Sequence, residues 1–155
     1  MIHTFHRKQN LPITLEKAWE FFSSPDNLKI ITPDYMGFKV TSEFIPEKIY
    51  SGLIISYIVK PVLNLPLTWV TEIAHVEAPN YFVDQQLQGP YRFWHHKHFF
   101  RSIQNGTEIE DLVHYRLPLG FVGDLFHPFL VRPKLEAIFD FRYKKLEMLF
   151  GKYEK

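Results

Sequence analysis

An Asn-Gly pair between two long runs of strand-forming residues is the feature that most constrains the fold. Asn105-Gly106 separates the run Tyr91–Ile103 from the run Thr107–Leu117, and Asn-Gly is the preferred pair for a two-residue type I′ hairpin turn. The pattern predicts an antiparallel hairpin in which Gln104 faces Thr107. One face is then polar and partly charge-paired, with Arg101 opposite Glu110, Lys97 opposite His114 and His95 opposite Arg116.

The other face of this hairpin combines aromatic and ionisable side chains. It sets Trp94, His96, His98 and Phe100 against Leu117, Tyr115, Val113 and Asp111. The aromatic side chains predict that this face points inward, whereas histidine and aspartate are groups that a purely structural core avoids. We therefore expect this face to line a cavity with a polar spot. The expectation depends on register, because a one-residue slip of one strand would undo the pairing.

The preceding hairpin has a loop, Glu77–Asn80, that can close in more than one way. A four-residue loop places Trp69, Thr71 and Ile73 on one face with Phe82, Asp84 and Gln86. Polar side chains among apolar ones again predict a cavity wall. The alternative turns Val70, Ala74, Val83 and Leu87 inward and leaves Asp84 and Gln86 in solvent. The sequence leaves both alternatives open.

The order of the predicted elements indicates an α+β fold. A strand over Ile2–Leu11 precedes a short helix capped by Thr14 and a second short helix that begins near Ser24-Pro25. Six strand-like runs follow: 38–45, 52–59, 67–76, 81–88, 91–103 and 107–117. From about Asp124 to Phe150 the periodicity is helical, and Pro133 should start or kink this helix. We predict a single domain over residues 1–155, with a curved antiparallel sheet of about seven strands in β-α-α-β6-α order wrapped around the C-terminal helix.

The predicted C-terminal helix carries one charged residue on its apolar stripe. Arg142 shares this stripe with Leu135, Ile138, Phe139, Leu146 and Leu149. Such an arginine extends to solvent, pairs with an acid such as Asp111 or Asp84, or binds an anionic group of a ligand. An apolar cluster at the start of the helix would cap a cavity mouth, contact a second copy or belong to the core: Phe121, Leu125, Phe126, Phe129 and Leu130.

Composition excludes several classes of function. The chain has no Cys, which rules out disulfides, thiolate metal sites and thiol catalysis and fits a cytoplasmic protein. A net charge of +1 gives no reason to expect nucleic-acid binding, and short apolar runs predict no stable membrane insertion. The sequence has no phosphate-binding or dinucleotide-binding glycine motif and no Gly-x-Ser-x-Gly motif. An aromatic content of 17% beside eight His requires a thick core or an apolar cavity.

Two groups of residues resemble a known superfamily. The first is Pro12-Ile13-Thr14, Trp19-Glu20-Phe21-Phe22, Asn27-Leu28 and Ile31-Thr32-Pro33; the second is Gly89-Pro90-Tyr91, Trp94, His96, His98, Phe100, Asp111, Tyr115, Pro118 and Gly120. They resemble the SRPBCC superfamily of START-like helix-grip proteins, and within it the bacterial polyketide cyclase/dehydrase-like branch. The resemblance covers nearly the whole chain and implies a ligand between the sheet and the long helix. It implies no catalytic set, since this branch offers none that matches position by position, and the superfamily includes carriers and enzymes.

These observations predict a cytoplasmic carrier or sensor that binds a small hydrophobic, aromatic or lipid-like molecule. The predicted ligand-binding residues are Trp69, Thr71, Asp84, Gln86, Trp94, His96, His98, Phe100, Asp111, Tyr115 and Arg142. The alternative is a polyketide cyclase/dehydratase-like enzyme with acid–base groups among His96, His98, Asp111 and Tyr115.

Further hypotheses stand beside these. His96 and His98 with Asp111 can be drawn as a metal site, but His-x-His is common, and we predict neither a metal nor another cofactor. In the structural alternative, His96 hydrogen-bonds Tyr115, and His98 pairs with an acid or with water. A separate interpretation is a filled-core protein that binds no ligand. The sequence leaves a homodimer open.

Overall fold

A seven-stranded antiparallel sheet forms the body of the protein in a computed structural model that describes residues 1–60 and 65–154. The strands are β1 (His3–Leu11), β2 (Lys39–Val40), β3 (Leu53–Val59), β4 (Leu67–Glu77), β5 (Tyr81–Gln88), β6 (Phe93–Ile103) and β7 (Gly106–Arg116). Their order is β1-β7-β6-β5-β4-β3-β2, so β2 to β7 form a meander and β1 pairs with the free edge of β7. This confirms the predicted sheet. Residues 61–64 and 155 of the predicted domain lie outside the described residues.

The helical segments agree with the prediction in type and differ at their ends. In α1 (Leu15–Phe22), Thr14 accepts a hydrogen bond from the Lys17 amide at 3.3 Å, as expected of an N-cap. The second predicted helix is one 3₁₀ turn, Pro25–Leu28, followed by another at Asp34–Met36, and Ser24 makes no side-chain cap.

The C-terminal helical stretch begins at Phe121, earlier than the predicted Asp124. It consists of α2 (Phe121–Phe126), a π-helical turn (His127–Val131) and α3 (Arg132–Phe150). Pro133 lies in the first turn of α3, where a missing amide donor costs no helical hydrogen bond.

Strand β2 is much shorter than the predicted run 38–45. The amides of Thr41 and Ser42 both donate to the same carbonyl, that of Ser56, at 2.8 and 3.2 Å. The Ser42 hydroxyl in turn accepts from the Ser56 amide at 2.8 Å. This local arrangement ends the regular ladder, because two residues of one strand now oppose one residue of the other.

The predicted pairing of the β6–β7 hairpin is wrong by two residues, and its predicted faces are right. The turn is Gln104-Asn105, so Ile103 lies opposite Gly106. The inner pairs are Trp94 with Tyr115, His96 with Val113, His98 with Asp111 and Phe100 with Ile109; on the other face Arg101 lies opposite Glu108, Lys97 opposite Leu112 and His95 opposite His114. A shift of two residues keeps every side chain on its own side of the sheet.

The β4–β5 hairpin follows the first of the two predicted alternatives. Its loop has three residues, Ala78 to Asn80, one fewer than predicted. A bulge at Ala74 shifts the register back by one residue, so the pairing beyond it is the one predicted for a four-residue loop. Trp69, Thr71, Ile73 and Phe82 are buried on the inner face, whereas Leu87 is exposed. Asp84 shares this face as predicted, opposite Ile73.

Candidate functional site

A cavity of about 1140 Å³ lies between the sheet and the C-terminal helical stretch. Strands β3 to β6 and helix α3 contribute a continuous part of its wall through Ile55, Tyr57, Val59, Trp69, Thr71, Ile73, Phe82, Asp84, Trp94, His96, His98, Leu135, Ile138, Phe139 and Arg142. The rings of Trp69 and Trp94 meet edge to face at 5.4 Å. Known ligand pockets occupy about 300–1,000 Å³ and combine apolar walls with a few polar groups. At about 1140 Å³ this cavity is somewhat larger than that range, and its lining fits the description.

The opening of the cavity is marked by lining residues that are also exposed to solvent. They are Tyr35, Pro118, Leu119, Val122, Phe126, Leu130 and Lys134. Of the predicted apolar cluster, Phe126 and Leu130 lie here, while Phe121, Leu125 and Phe129 are more than half exposed and do not line the cavity. The cluster therefore does not belong to the core.

Four ionisable side chains meet at the inner wall because adjacent strands present them on one face. Asp84 on β5 lies opposite His96 on β6, and His98 lies opposite Asp111 on β7. His96 and His98 are two residues apart, so their side chains project from the same side of β6. Their rings lie 3.7 Å apart between centroids.

The four side chains form a closed ring in which carboxylates and imidazoles alternate. His98 Nε2 donates to Asp84 Oδ2 at 2.7 Å, and His96 Nε2 hydrogen-bonds Asp111 Oδ1 at 2.8 Å. The ring closes through two further close approaches. His96 Nδ1 lies 3.4 Å from Asp84 Oδ2, and His98 Nδ1 lies 3.0 Å from Asp111 Oδ1 without hydrogen-bonding geometry.

Arg142 of α3 completes this cluster from the helix side. Its Nη1 donates to Asp111 Oδ1 at 3.1 Å, which is one of the partners predicted for it. The guanidinium lies 5.8 Å from the Phe22 ring and 5.4 Å from the Phe139 ring, and the side chain is 12% exposed. With one imidazole protonated, the two positive and two negative charges cancel.

The protonation of the cluster follows from this geometry. Burial alone would raise the pKa of both carboxyls, but His96 and His98 lower that of Asp84, and Arg142 with both imidazoles lowers that of Asp111 well below its usual range. Burial and the neighbouring His98 lower the pKa of His96. Burial also opposes charge on His98, but Asp111 and Asp84 outweigh it and raise the pKa of His98. As the pH falls, His98 is therefore the first of the two imidazoles to take up a proton.

The structure brings seven of the eleven predicted ligand-binding residues to the cavity wall. These are Trp69, Thr71, Asp84, Trp94, His96, His98 and Arg142. Asp111 lies directly behind the two histidines. Gln86 is held by the Tyr91 backbone through hydrogen bonds of 2.6 and 3.2 Å, and Phe100 packs in the core against Trp19 and Phe22.

The predicted hydrogen bond between His96 and Tyr115 is wrong. With the corrected register, His96 lies opposite Val113, and its Nε2 bonds Asp111 instead. The Tyr115 hydroxyl bonds His127 Nε2 at 2.6 Å in the π-helical turn. Tyr115 therefore ties the sheet to the C-terminal stretch and lies outside the histidine cluster.

Sequence reasoning missed a second polar spot on the cavity wall. The Tyr57 hydroxyl lies 3.0 Å from Thr71 Oγ1, which also accepts a hydrogen bond from Trp69 Nε1 at 3.0 Å. Burial raises the pKa of Tyr57, so its hydroxyl stays protonated. The alternation of Ile55, Tyr57 and Val59 in β3 was the available signal, because these residues must share one face.

The sheet, the long helical stretch and the cavity between them form a helix-grip fold. This is the fold that the resemblance to the SRPBCC superfamily predicted. Similar solved structures include the protein CV1439 from Chromobacterium violaceum, with a TM-score of 0.71 at 10% identity over 97% of this chain and 98% of that chain. Ara h 8.0201 has a TM-score of 0.65 at 13% identity over 96% and 99% of the two chains. Norcoclaurine synthase from Thalictrum flavum in complex with dopamine and hydroxybenzaldehyde has a TM-score of 0.63 at 14% identity over 100% and 90%.

At these identities the likeness establishes the fold alone. No model of a known protein family matches the chain, and no curated protein matches it at a significant level. Among residues 1–60 and 65–154, no helix is both long and apolar enough to cross a membrane.

Proposed function

We propose that this chain is a cytoplasmic carrier or sensor that binds a small hydrophobic ligand, aromatic or lipid-like, in the cavity between sheet and helix. The observation that carries the proposal is the cavity of about 1140 Å³, whose wall is largely apolar and includes the two polar spots described above, besides polar residues such as Asn27 and Thr32. Apolar walls supply affinity, and a few fixed polar groups orient the ligand.

The polar groups favour a ligand with a polar end that accepts hydrogen bonds. Arg142 has five N–H donors, of which one is directed at Asp111. Its guanidinium lines the cavity beside His96 and His98. A hydroxyl, carbonyl or carboxylate oxygen placed there would accept hydrogen bonds from the remaining N–H groups of Arg142. The remainder of the ligand would contact Trp69, Trp94 and Phe139.

A pair of neighbouring isoleucines in β3 tests the proposal. Ile55 lines the cavity and is 7% exposed, whereas Ile54 faces solvent and is 53% exposed. We expect Ile55→Trp to fill part of the cavity and to weaken binding of the fluorescent dye 1-anilinonaphthalene-8-sulfonate at least about tenfold, a difference of ~1.4 kcal/mol. Ile54→Trp should leave the dye affinity unchanged.

Dye titration followed by fluorescence gives the two dissociation constants. Thermal unfolding of both variants checks that Ile55→Trp still folds. Equal dye affinities in the two folded variants, or no saturable binding by the wild-type protein, would contradict a ligand cavity.

One observation favours the second candidate, an acid–base enzyme of the cyclase/dehydratase kind. His96 lies on the cavity wall, its pKa is lowered by burial and by His98, and its Nε2 is oriented by Asp111. In the tautomer that donates this N–H to Asp111, Nδ1 carries the lone pair of a general base. His98, which holds the proton, is the matching acid.

Hydrogen exchange at carbon tests this candidate. We expect the protein to accelerate exchange of the α-protons of 2-decanone in D₂O, followed by proton NMR, because His96 would remove the proton and the cationic groups would stabilise the enolate. His96→Gln should abolish the acceleration and keep dye binding. An exchange rate equal in wild type and His96→Gln would exclude His96 as a base.

A further inference from the structure

We infer that Asp84, His96 and His98 form a binding site for one divalent transition-metal ion at the inner wall of the cavity. A nitrogen of each histidine and a carboxylate oxygen of Asp84 lie within 4.8 Å of one another. Two imidazoles and one carboxylate are a ligand set that holds zinc, iron(II) or cobalt(II). The site differs from the set drawn from the sequence, because Asp84 takes the place of Asp111.

Two of the three pairs of ligand atoms lie at or near the separation that a metal ion requires. Two atoms that each bind a metal at about 2.0–2.2 Å lie roughly 3 Å apart when their bond angle is between 90° and 110°. Asp84 Oδ2 lies 3.4 Å from His96 Nδ1 and 2.7 Å from His98 Nε2. The second pair has to open by only about 0.3 Å to admit the ion.

The imidazole nitrogens that would face away from the ion lie beside a carboxylate, as in most histidine metal sites. When His96 Nδ1 and His98 Nε2 face the ion, the opposite nitrogens are His96 Nε2 and His98 Nδ1. Both lie beside the same oxygen of Asp111, at 2.8 and 3.0 Å. Metal-binding histidines ordinarily donate their second N–H to a carboxylate, which fixes the tautomer and the ring orientation.

Arg142 and an orphaned nitrogen supply two further observations. Arg142 holds the Asp111 oxygen in place at 3.1 Å and balances its charge. His98 Nδ1 is buried, and no described residue gives it a hydrogen-bonding partner. Coordination at Nε2 would fix a proton on Nδ1, and a small rotation of the ring would direct that N–H to Asp111.

The cavity side of this site is open to a ligand. Asp84, His96 and His98 all line the cavity, so a metal held by these three side chains keeps coordination positions that face it. Three protein ligands with an open position are typical of sites where a metal binds or activates a small molecule. The ion would bind an oxygen at the polar end of the molecule that occupies the cavity.

Cobalt(II) binding to protein freed of metal with EDTA tests the inference. We expect one Co²⁺ per chain by equilibrium dialysis, with visible d–d absorption that Zn²⁺ abolishes by displacement. His96→Gln and His98→Gln should lower the Co²⁺ affinity at least about 100-fold, and Asp111→Asn about 10- to 100-fold. His95→Gln is the matched control, because His95 lies on the same strand and points to the opposite face.

Thermal unfolding without metal identifies any variant that does not fold, and Asp84→Asn then replaces it. Loss of the bound Co²⁺ in folded His96→Gln or His98→Gln, with full binding in His95→Gln, supports the site. Less than one Co²⁺ per chain in the wild type overturns it, as does equal binding in all the variants, which would assign the ion to surface pairs such as His6 with Glu110. The dye experiment uses metal-free protein, so its outcome and this one are independent.

Discussion

The two buried histidines share one proton, and this has a consequence for stability that each residue alone would not have. In the folded protein, the pKa of His98 is raised above 6.5 and that of His96 is lowered below it. In the unfolded chain, both titrate near 6.5. Between the folded pKa of His96 and pH 6.5, the two histidines therefore bind up to two protons in the unfolded chain and one in the folded protein. Between pH 6.5 and the folded pKa of His98, they lose both protons in the unfolded chain and keep one in the folded protein.

We expect the free energy of unfolding to be highest near pH 6.5. At this pH the unfolded pair holds on average one proton, which is also the number that the folded pair holds. As the pH rises through the folded pKa of His98, the contribution of that residue is lost. As the pH falls from 6.5 towards the folded pKa of His96, the unfolded state takes up the extra proton and stability falls. Each slope is about 1.4 kcal/mol per pH unit for one proton.

His96→Gln should lower the slope on the acid side by about 1.4 kcal/mol per pH unit and keep the slope on the alkaline side. The remaining imidazole is then protonated in both states below pH 6.5, so folding changes no proton count there. Urea unfolding at several pH values between 5 and 8, with EDTA present, measures both slopes. His95 and His127, whose pKa values burial also lowers, contribute equally in wild type and variant. An unchanged acid-side slope in the variant would mean that folding does not lower the pKa of His96.

Among the elements, the β6–β7 hairpin shows why a correct turn signal gave a shifted register. The Asn-Gly pair predicts positive φ at both residues, but only Asn105 has it, at 57°. Gly106 instead begins β7, where a Cβ atom would lie 2.2 Å from the carbonyl oxygen of Leu11 in β1. Glycine is needed here because β1, a third strand, approaches closely. Turn preferences describe only the residues of the turn, so they cannot predict this contact.

Gly106→Ala should therefore destabilise the protein although its backbone conformation suits alanine. The added methyl group would force β1 and β7 apart, and we expect a loss of about 1–3 kcal/mol in the free energy of unfolding. Urea unfolding measures it, with Gln104→Ala in the exposed turn as the control. A loss below about 0.5 kcal/mol, the range of ordinary surface substitutions, would show that the contact relaxes without cost.

The elements also show where sequence patterns suffice. Alternation in β6 and β7 predicted the face of each residue, because a period of two is a local property of extended backbone. The shared surroundings of His96 and His98 were predicted in this way. The sequence did not decide whether Asp84 faces the cavity or solvent. Its pairing with β4 depends on a bulge at Ala74, which no local sequence pattern predicts.

At the scale of the whole molecule, the aromatic excess divides between a filled core and the cavity wall. Trp19, Phe22, Phe82 and Phe100 pack together at one end, where Phe22 and Phe82 also border the cavity, while Trp69, Tyr91 and Trp94 meet farther along its wall. The fold could be predicted from element order and resemblance. The volume of the cavity and the closed ring of charges could not be predicted. The cavity depends on how β3 to β6 pack against the helical stretch, and the ring depends on how β5, β6 and β7 meet α3.

The two tryptophans at the cavity wall give the protein an optical property of its own. Of three indoles in the chain, Trp69 and Trp94 line the cavity, and Trp19 is packed against Phe82 and Phe100. Indole emission responds to the polarity and the quenchers beside the ring. A guest molecule or a paramagnetic ion arriving at the inner wall would thus change the intrinsic fluorescence from two sites while the third stays constant, and occupancy could be followed without any label.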